Sequence, residues 1–139
     1  MLESNFLSNV YLLDKEVKKI DDVTFVGGTL WTDMNKEDPL TLYHIASMMN
    51  DFRCVSNSNR QVSFKTYDVN GEFTGFSSRT SKFSPEDAVE DHRKMLQYIE
   101  VVTAMLGKND NKYVVVGHHA PSKQSTKPRY ENDTLMNGG

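Results

Sequence analysis

Val10-Tyr11-Leu12-Leu13 and Val23-Thr24-Phe25-Val26 are short β-branched and aromatic runs held apart by the polar stretch Asp14 to Asp22. Such runs predict strands, and Val17 to Ile20 predicts another between them, so the chain opens as a β-meander. The second run continues into Gly27-Gly28, where paired glycines predict a bulge or a close approach of neighbouring backbone. Asp33 to Asp38 reads as a polar loop. Asp38-Pro39 then offers an N-cap and a proline suited to the first helical position, and Leu42, Ile45, Met48 and Met49 follow at helical spacing.

Asn57 to Arg60 reads as a loop, after which Val62, Phe64 and Thr66 alternate with polar residues up to the hairpin signal Asn70-Gly71. Phe73 and Phe76 fall on the return strand, so residues 62–76 are expected to form a β-hairpin added to the core and flanked by a serine-rich loop, Ser77 to Ser81. Ser84-Pro85-Glu86-Asp87 is a helix start: a serine cap, a proline, and carboxylates placed against the positive end of the helix dipole. Ala88, Met95, Leu96, Ile99, Val102, Thr103 and Leu106 make one stripe, and Gly107 supplies the stop, so this helix packs one face on a sheet. After the polar turn Lys108 to Lys112, the apolar run Tyr113 to Gly117 predicts a strand buried on both faces. The sum is an α/β chain.

Composition changes this picture little. With 139 residues, 37% of them hydrophobic and 25% charged, the chain has the make-up of one globular domain or part of one. A net charge of -3 gives no basic field for a nucleic-acid backbone, and none is expected as a partner. The single cysteine, Cys54, is expected to be a free thiol in a reducing compartment, and the longest apolar runs are far too short to cross a bilayer, so the expected location is the cytoplasm, with no membrane contact.

Candidate chemistry gathers at the end of the last strand. Val114-Val115-Val116 runs into Gly117-His118-His119-Ala120-Pro121-Ser122, and in α/β sheets the functional crevice lies beyond the carboxyl ends of the strands. Imidazole suits divalent ions such as zinc, iron and manganese. Alternation puts His118 on the face of Val114 and Val116 and His119 on that of Val115, so only one of the two serves easily as a ligand of a given site. The bland reading stays open, with one histidine packed locally and the other solvated. His44 and His92 read as structural, His92 because it shares the stripe of Ala88 and Met95.

This strand end resembles the second-half strand of calcineurin-like metallophosphoesterases, where a histidine in a His-His-x-Pro or His-x-Pro setting binds a dinuclear metal centre. Val26 to Asp33, Asn50-Asp51-Phe52-Arg53, Phe83 to His92 and Lys127-Pro128-Arg129-Tyr130 stand in the same order in phage and bacterial members, and together they cover most of the chain. The resemblance implies a four-layer αββα sandwich and a hydrolase acting on phosphomonoesters or phosphodiesters. His118 would be the metal ligand and His119 a catalytic or substrate-side group, with Arg129 and Asp33 also on the substrate side. The cofactors would be divalent ions: manganese, iron, zinc or magnesium.

Four motifs of that family, Asp-x-His, Gly-Asp-x-x-Asp, Gly-Asn-His-Asp/Glu and Gly-His-x-His, are not found in the chain. Residues 1–139 are therefore expected to form a partial metallophosphoesterase domain, its central to C-terminal portion, and to be inactive alone. The alternatives are a catalytically silent remnant that binds another protein, and one half of a split enzyme whose missing half is a separate chain. Asp33 also reads as a loop cap, Asn50-Asp51 as a helix stop, and Arg129 as a solvated or locally paired charge.

Overall fold

The structure is a computed structural model that describes residues 9–105, 112–130 and 133. Asp21 and Asp22 turn the polar strand Glu16–Ile20 (β1) back onto Val23–Gly27 (β2), and Asp21 adopts the left-handed φ of 52° that short aspartate turns tolerate. The strand expected between Val10 and Leu13 does not form. That segment lies over the sheet instead, with the Leu13 Cβ only 2.4 Å from where a side chain on Gly27 would begin. Its apolar residues cover the sheet rather than extend its ladder.

After β2 the chain runs through Met34–Glu37 (α1), Pro39–Met48 (α2), Asp51–Cys54 (α3), Ser56–Tyr67 (β3), Phe73–Lys82 (β4), Pro85–Met105 (α4) and Lys112–Val116 (β5). The protein is a mixed α/β structure. β5 pairs parallel to β2, on the side away from antiparallel β1, giving the order β1-β2-β5. The pairing runs unbroken through Gly27, so the glycine pair makes no bulge. Its room is used by side chains: Leu13 sits over Gly27, and the Met95 Sδ lies 2.5 Å from the position of a Cβ on Gly28.

α4 begins as its sequence predicts. Ser84 Oγ accepts from the Asp87 N–H at 3.3 Å, and Asp87 Oδ2 accepts from the Ser84 N–H at 2.9 Å, a reciprocal capping box. The helix then bridges two apolar clusters. Ala88 and Val89 pack with Met34, Ile45 and Phe52, whereas Met95 packs with Val26 and Leu30 against the sheet. Leu96 and Thr103, assigned to the buried stripe, are exposed, because the sheet under this part of the helix is narrow. Leu106, Gly107 and the turn from Lys108 lie outside the described residues.

Asp33 to Asp38 holds more than a polar loop. Met34–Glu37 makes one turn in the left-handed region, φ 49° to 60°, closed by Glu37 N–H to Asp33 O at 2.7 Å and Asp38 N–H to Met34 O at 3.2 Å. Such a turn costs roughly 1–2 kcal/mol per residue. Burial of the Met34 side chain, the Thr32 Oγ1 bond to the Met34 N–H and the Glu37–Arg93 ion pair oppose that cost. α2 then starts at Pro39 as expected, with Asp38 Oδ2 accepting from Thr41 N–H at 2.8 Å. It stops before Asn50-Asp51, and α3 begins there.

β3 and β4 form a two-stranded sheet of their own, longer than the predicted 62–76. Asn57 to Arg60 and Ser77 to Ser81, expected as loops, belong to its strands, with a register shift between Asn57 and Gln61. The polar side chains that looked like loop signals bond to strand partners: Arg60 Nε to Ser81 Oγ at 3.0 Å and Thr74 Oγ1 to Thr66 Oγ1 at 3.0 Å. At the tip Asp68 Oδ1 accepts from Asn70 N–H at 2.8 Å and Glu72 N–H at 2.9 Å, and Gly71 takes φ 82°.

β5 departs from its expected burial on both faces. Val114, Val115 and Val116 are 41%, 44% and 51% exposed, because among the described residues β5 pairs only with β2. No helix among the described residues is long and apolar enough to cross a membrane.

Candidate functional site

The parallel pairing continues past the strand ends and fixes the two histidines. Gly28 N–H donates to Val116 O at 3.2 Å, and the N–H groups of His118 and His119 donate to Thr29 O at 3.0 and 3.4 Å. Gly117 is needed between them, since a Cβ there would lie 3.0 Å from Leu30 side-chain atoms. One carbonyl therefore holds both histidine backbones.

The rings then diverge. His118 is exposed and lines a cleft of about 550 Å³ together with Val116, Phe25, Ile20, Leu13 and Lys18. His119 is half-buried and stacks on Trp31 at 4.7 Å, and Trp31 packs in turn on Phe83 at 5.3 Å and Phe52 at 6.0 Å. The two imidazoles meet edge to face at 5.0 Å. His119 Nε2 is buried with no hydrogen-bond partner among the described residues. Burial, and then the neighbouring charge of His118, push its pKa below the ordinary histidine range, against the pull of the Asp51 carboxylate. His119 is thus held as a neutral ring able to give or take a proton.

Asp33, Arg129 and His92 lie elsewhere. Asp33 is exposed beside the N-terminus of α1 and lines a second cleft, of about 760 Å³, on the α4 side of β5. Arg129, in the short turn Pro128–Tyr130, places its guanidinium 4.4 Å from the centre of the Tyr130 ring, and Tyr130 lines that same cleft. Neither Asp33 nor Arg129 lines the cleft of His118. His92, read from its helical spacing as structural, also faces the second cleft, and its Nδ1 is buried without a hydrogen-bond partner among the described residues. The stripe of Ala88, His92 and Met95 signalled that this ring points inward, but nothing in the sequence signalled a cavity there. His44 meets only the edge of Tyr43 among the described ring contacts, at 5.6 Å, and Cys54 is an exposed free thiol.

Among the described residues no group of three or more His, Cys, Asp or Glu side chains converges as a metal site would require. His118 fits the part of a single imidazole donor.

No family model matches the chain. No solved structure matches it either. Over 114 residues, 81% of the chain, it is 23% identical to an uncharacterized protein, L509, of Acanthamoeba polyphaga mimivirus, and it spans only 32% of that protein's length.

Proposed function

We propose that the chain forms part of a calcineurin-like metallophosphoesterase domain, a four-layer αββα sandwich, and contributes His118 as one metal ligand of a phosphoester-hydrolysing site. The observation that carries this reading is the strand end itself. An exposed imidazole stands beyond the carboxyl end of a parallel strand pair, its backbone fixed to Thr29, with a neutral partner ring beside it. A ligand anchored this way has little backbone freedom to lose on binding.

A pair of divalent ions would polarise the phosphoryl oxygens and activate water near neutral pH, and that needs several carboxylate, amide and imidazole donors besides His118. The remaining donors come from a further segment, in the same polypeptide or in a second chain. The exposed apolar residues Ile20, Val114 and Val116 on one face of the sheet support such completion. His119, kept neutral at its Nε2, serves proton transfer at the leaving group. Arg129 offers a planar donor fork to a substrate oxygen.

The test has two arms. The protein encoded with its in-frame flanking sequence is expected to carry Gly-Asn-His-Asp/Glu and Gly-His-x-His segments and to hydrolyse bis(4-nitrophenyl) phosphate only with manganese present. His118→Ala is expected to lower its kcat/KM by more than about 100-fold, the upper end of what losing a mere supporting contact to a metal ligand costs. The 139 residues alone are expected to show no turnover. Robust hydrolysis by them, or unrelated flanking sequence, would sink the proposal.

A further inference from the structure

The second cleft has an unusual division of surfaces. Its floor is aliphatic, formed by Leu30, Leu96, Ile99 and Val115, and both Leu96 and Val115 are left more than two-fifths exposed there. Trp31 and Tyr130 add aromatic wall. Polar groups stand around the rim: the Asp33 carboxylate and Lys127, with the unpartnered His92 Nδ1 on the α4 side. At about 760 Å³ it lies within the roughly 300–1,000 Å³ range of small-molecule sites and exceeds the needs of a single small ring.

These surfaces exclude most ligand classes. An alkyl chain would leave His92 Nδ1, Asp33 and Lys127 without hydrogen-bond partners. A bare phosphate or sugar phosphate would leave Leu96 and Ile99 uncovered and would meet the Asp33 carboxylate. A flat, two-ring heterocycle satisfies both demands, since its faces are apolar and its edge alternates donors with acceptors. The cleft also adjoins the histidines, because Trp31 both lines it and stacks on His119, and Ala120 to Ser122 continue from His119 along its wall.

We infer that this cleft takes the purine base of a nucleotide, which names the substrate class of the proposed phosphoesterase. The link to catalysis rests on that proposed reading, whereas base binding stands by itself. A neutral imidazole matches either edge pattern of a purine, because its Nδ1 donates in one tautomer and accepts in the other.

Trp31 is the only tryptophan in the chain, so its fluorescence reports on this cleft alone. The metal-free protein should be titrated with adenosine, guanosine, ribose 5-phosphate and inorganic phosphate. Saturable quenching by adenosine or guanosine, with none from the two phosphate compounds, is the expected result. Leu96→Glu, at a position already exposed and therefore compatible with folding, should weaken that binding at least tenfold with an unchanged circular dichroism spectrum. His118→Ala should leave it unchanged. No quenching by either nucleoside, equal quenching by ribose 5-phosphate, or full affinity in Leu96→Glu would overturn the inference. Because these probes lack the scissile phosphate and need no metal, failure here leaves the phosphoesterase reading standing, and failure of hydrolysis leaves base binding standing.

Discussion

His119 carries a pH signature that His118 does not share. Its folded-state pKa lies below the unfolded value near 6.5, with burial as the first cause and the His118 charge as the second. The folded protein therefore holds that proton less tightly than the unfolded chain does. The stability associated with neutral His119 is present in full above about pH 6.5 and is lost as pH falls through the lower folded value. Urea unfolding of the metal-free protein at about pH 7.5 and about pH 5.5 should show a loss of stability that His119→Phe reduces, and equal losses in both proteins would contradict it. Gly27 marks a second such position. Gly27→Ala puts a methyl group into the space of the Leu13 Cβ, an atom close to the backbone that cannot swing aside, and should destabilise the protein by about 1–3 kcal/mol in the same assay. The glycine pair was legible in the sequence as a place of close approach. That the approaching groups would be Leu13 and Met95 was not, because both contacts join segments far apart in the chain.

At the scale of elements, local chemistry was the readable part. The starts of α2 and α4 follow from Asp38-Pro39 and Ser84-Pro85, whose capping bonds involve only neighbouring residues. The left-handed turn at Met34–Glu37 was not readable, since it opposes the local preference of its residues and depends on burying Met34 against α2 and α4. In β3 and β4 the serines and threonines resemble a loop until their cross-strand partners are known. This hairpin contributes none of the buried core residues, and it meets the body through Arg60 to Asp87 at 3.0 Å and Phe83 N–H to Val55 O at 3.1 Å. Replacing residues 58–80 by a short glycine-serine turn, which the pairing of Asn57 with Ser81 allows, should therefore leave a cooperatively unfolding protein. Loss of the unfolding transition would show that the hairpin is part of the cooperative unit.

For the whole molecule, the α/β class followed from the order of runs, while the extent of burial did not. Val114 to Val116 read as a strand covered on both faces, a pattern that records what a sequence is suited to rather than what covers it. In the structure β5 is an edge among the described residues and its valines stand open. The same limit applies to the site: alternation separated His118 from His119, and the structure puts them toward different clefts, yet the second cleft emerges only when α4, β5 and residues 120–130 come together. The central claim is that His118 is a metal ligand. The most direct measurement is an amide NMR spectrum of the 139-residue protein with manganese added stepwise. Paramagnetic broadening centred on Gly117, His118 and Thr29 and abolished by His118→Ala is the predicted result, whereas broadening that spares those amides, or that survives the substitution, would contradict it.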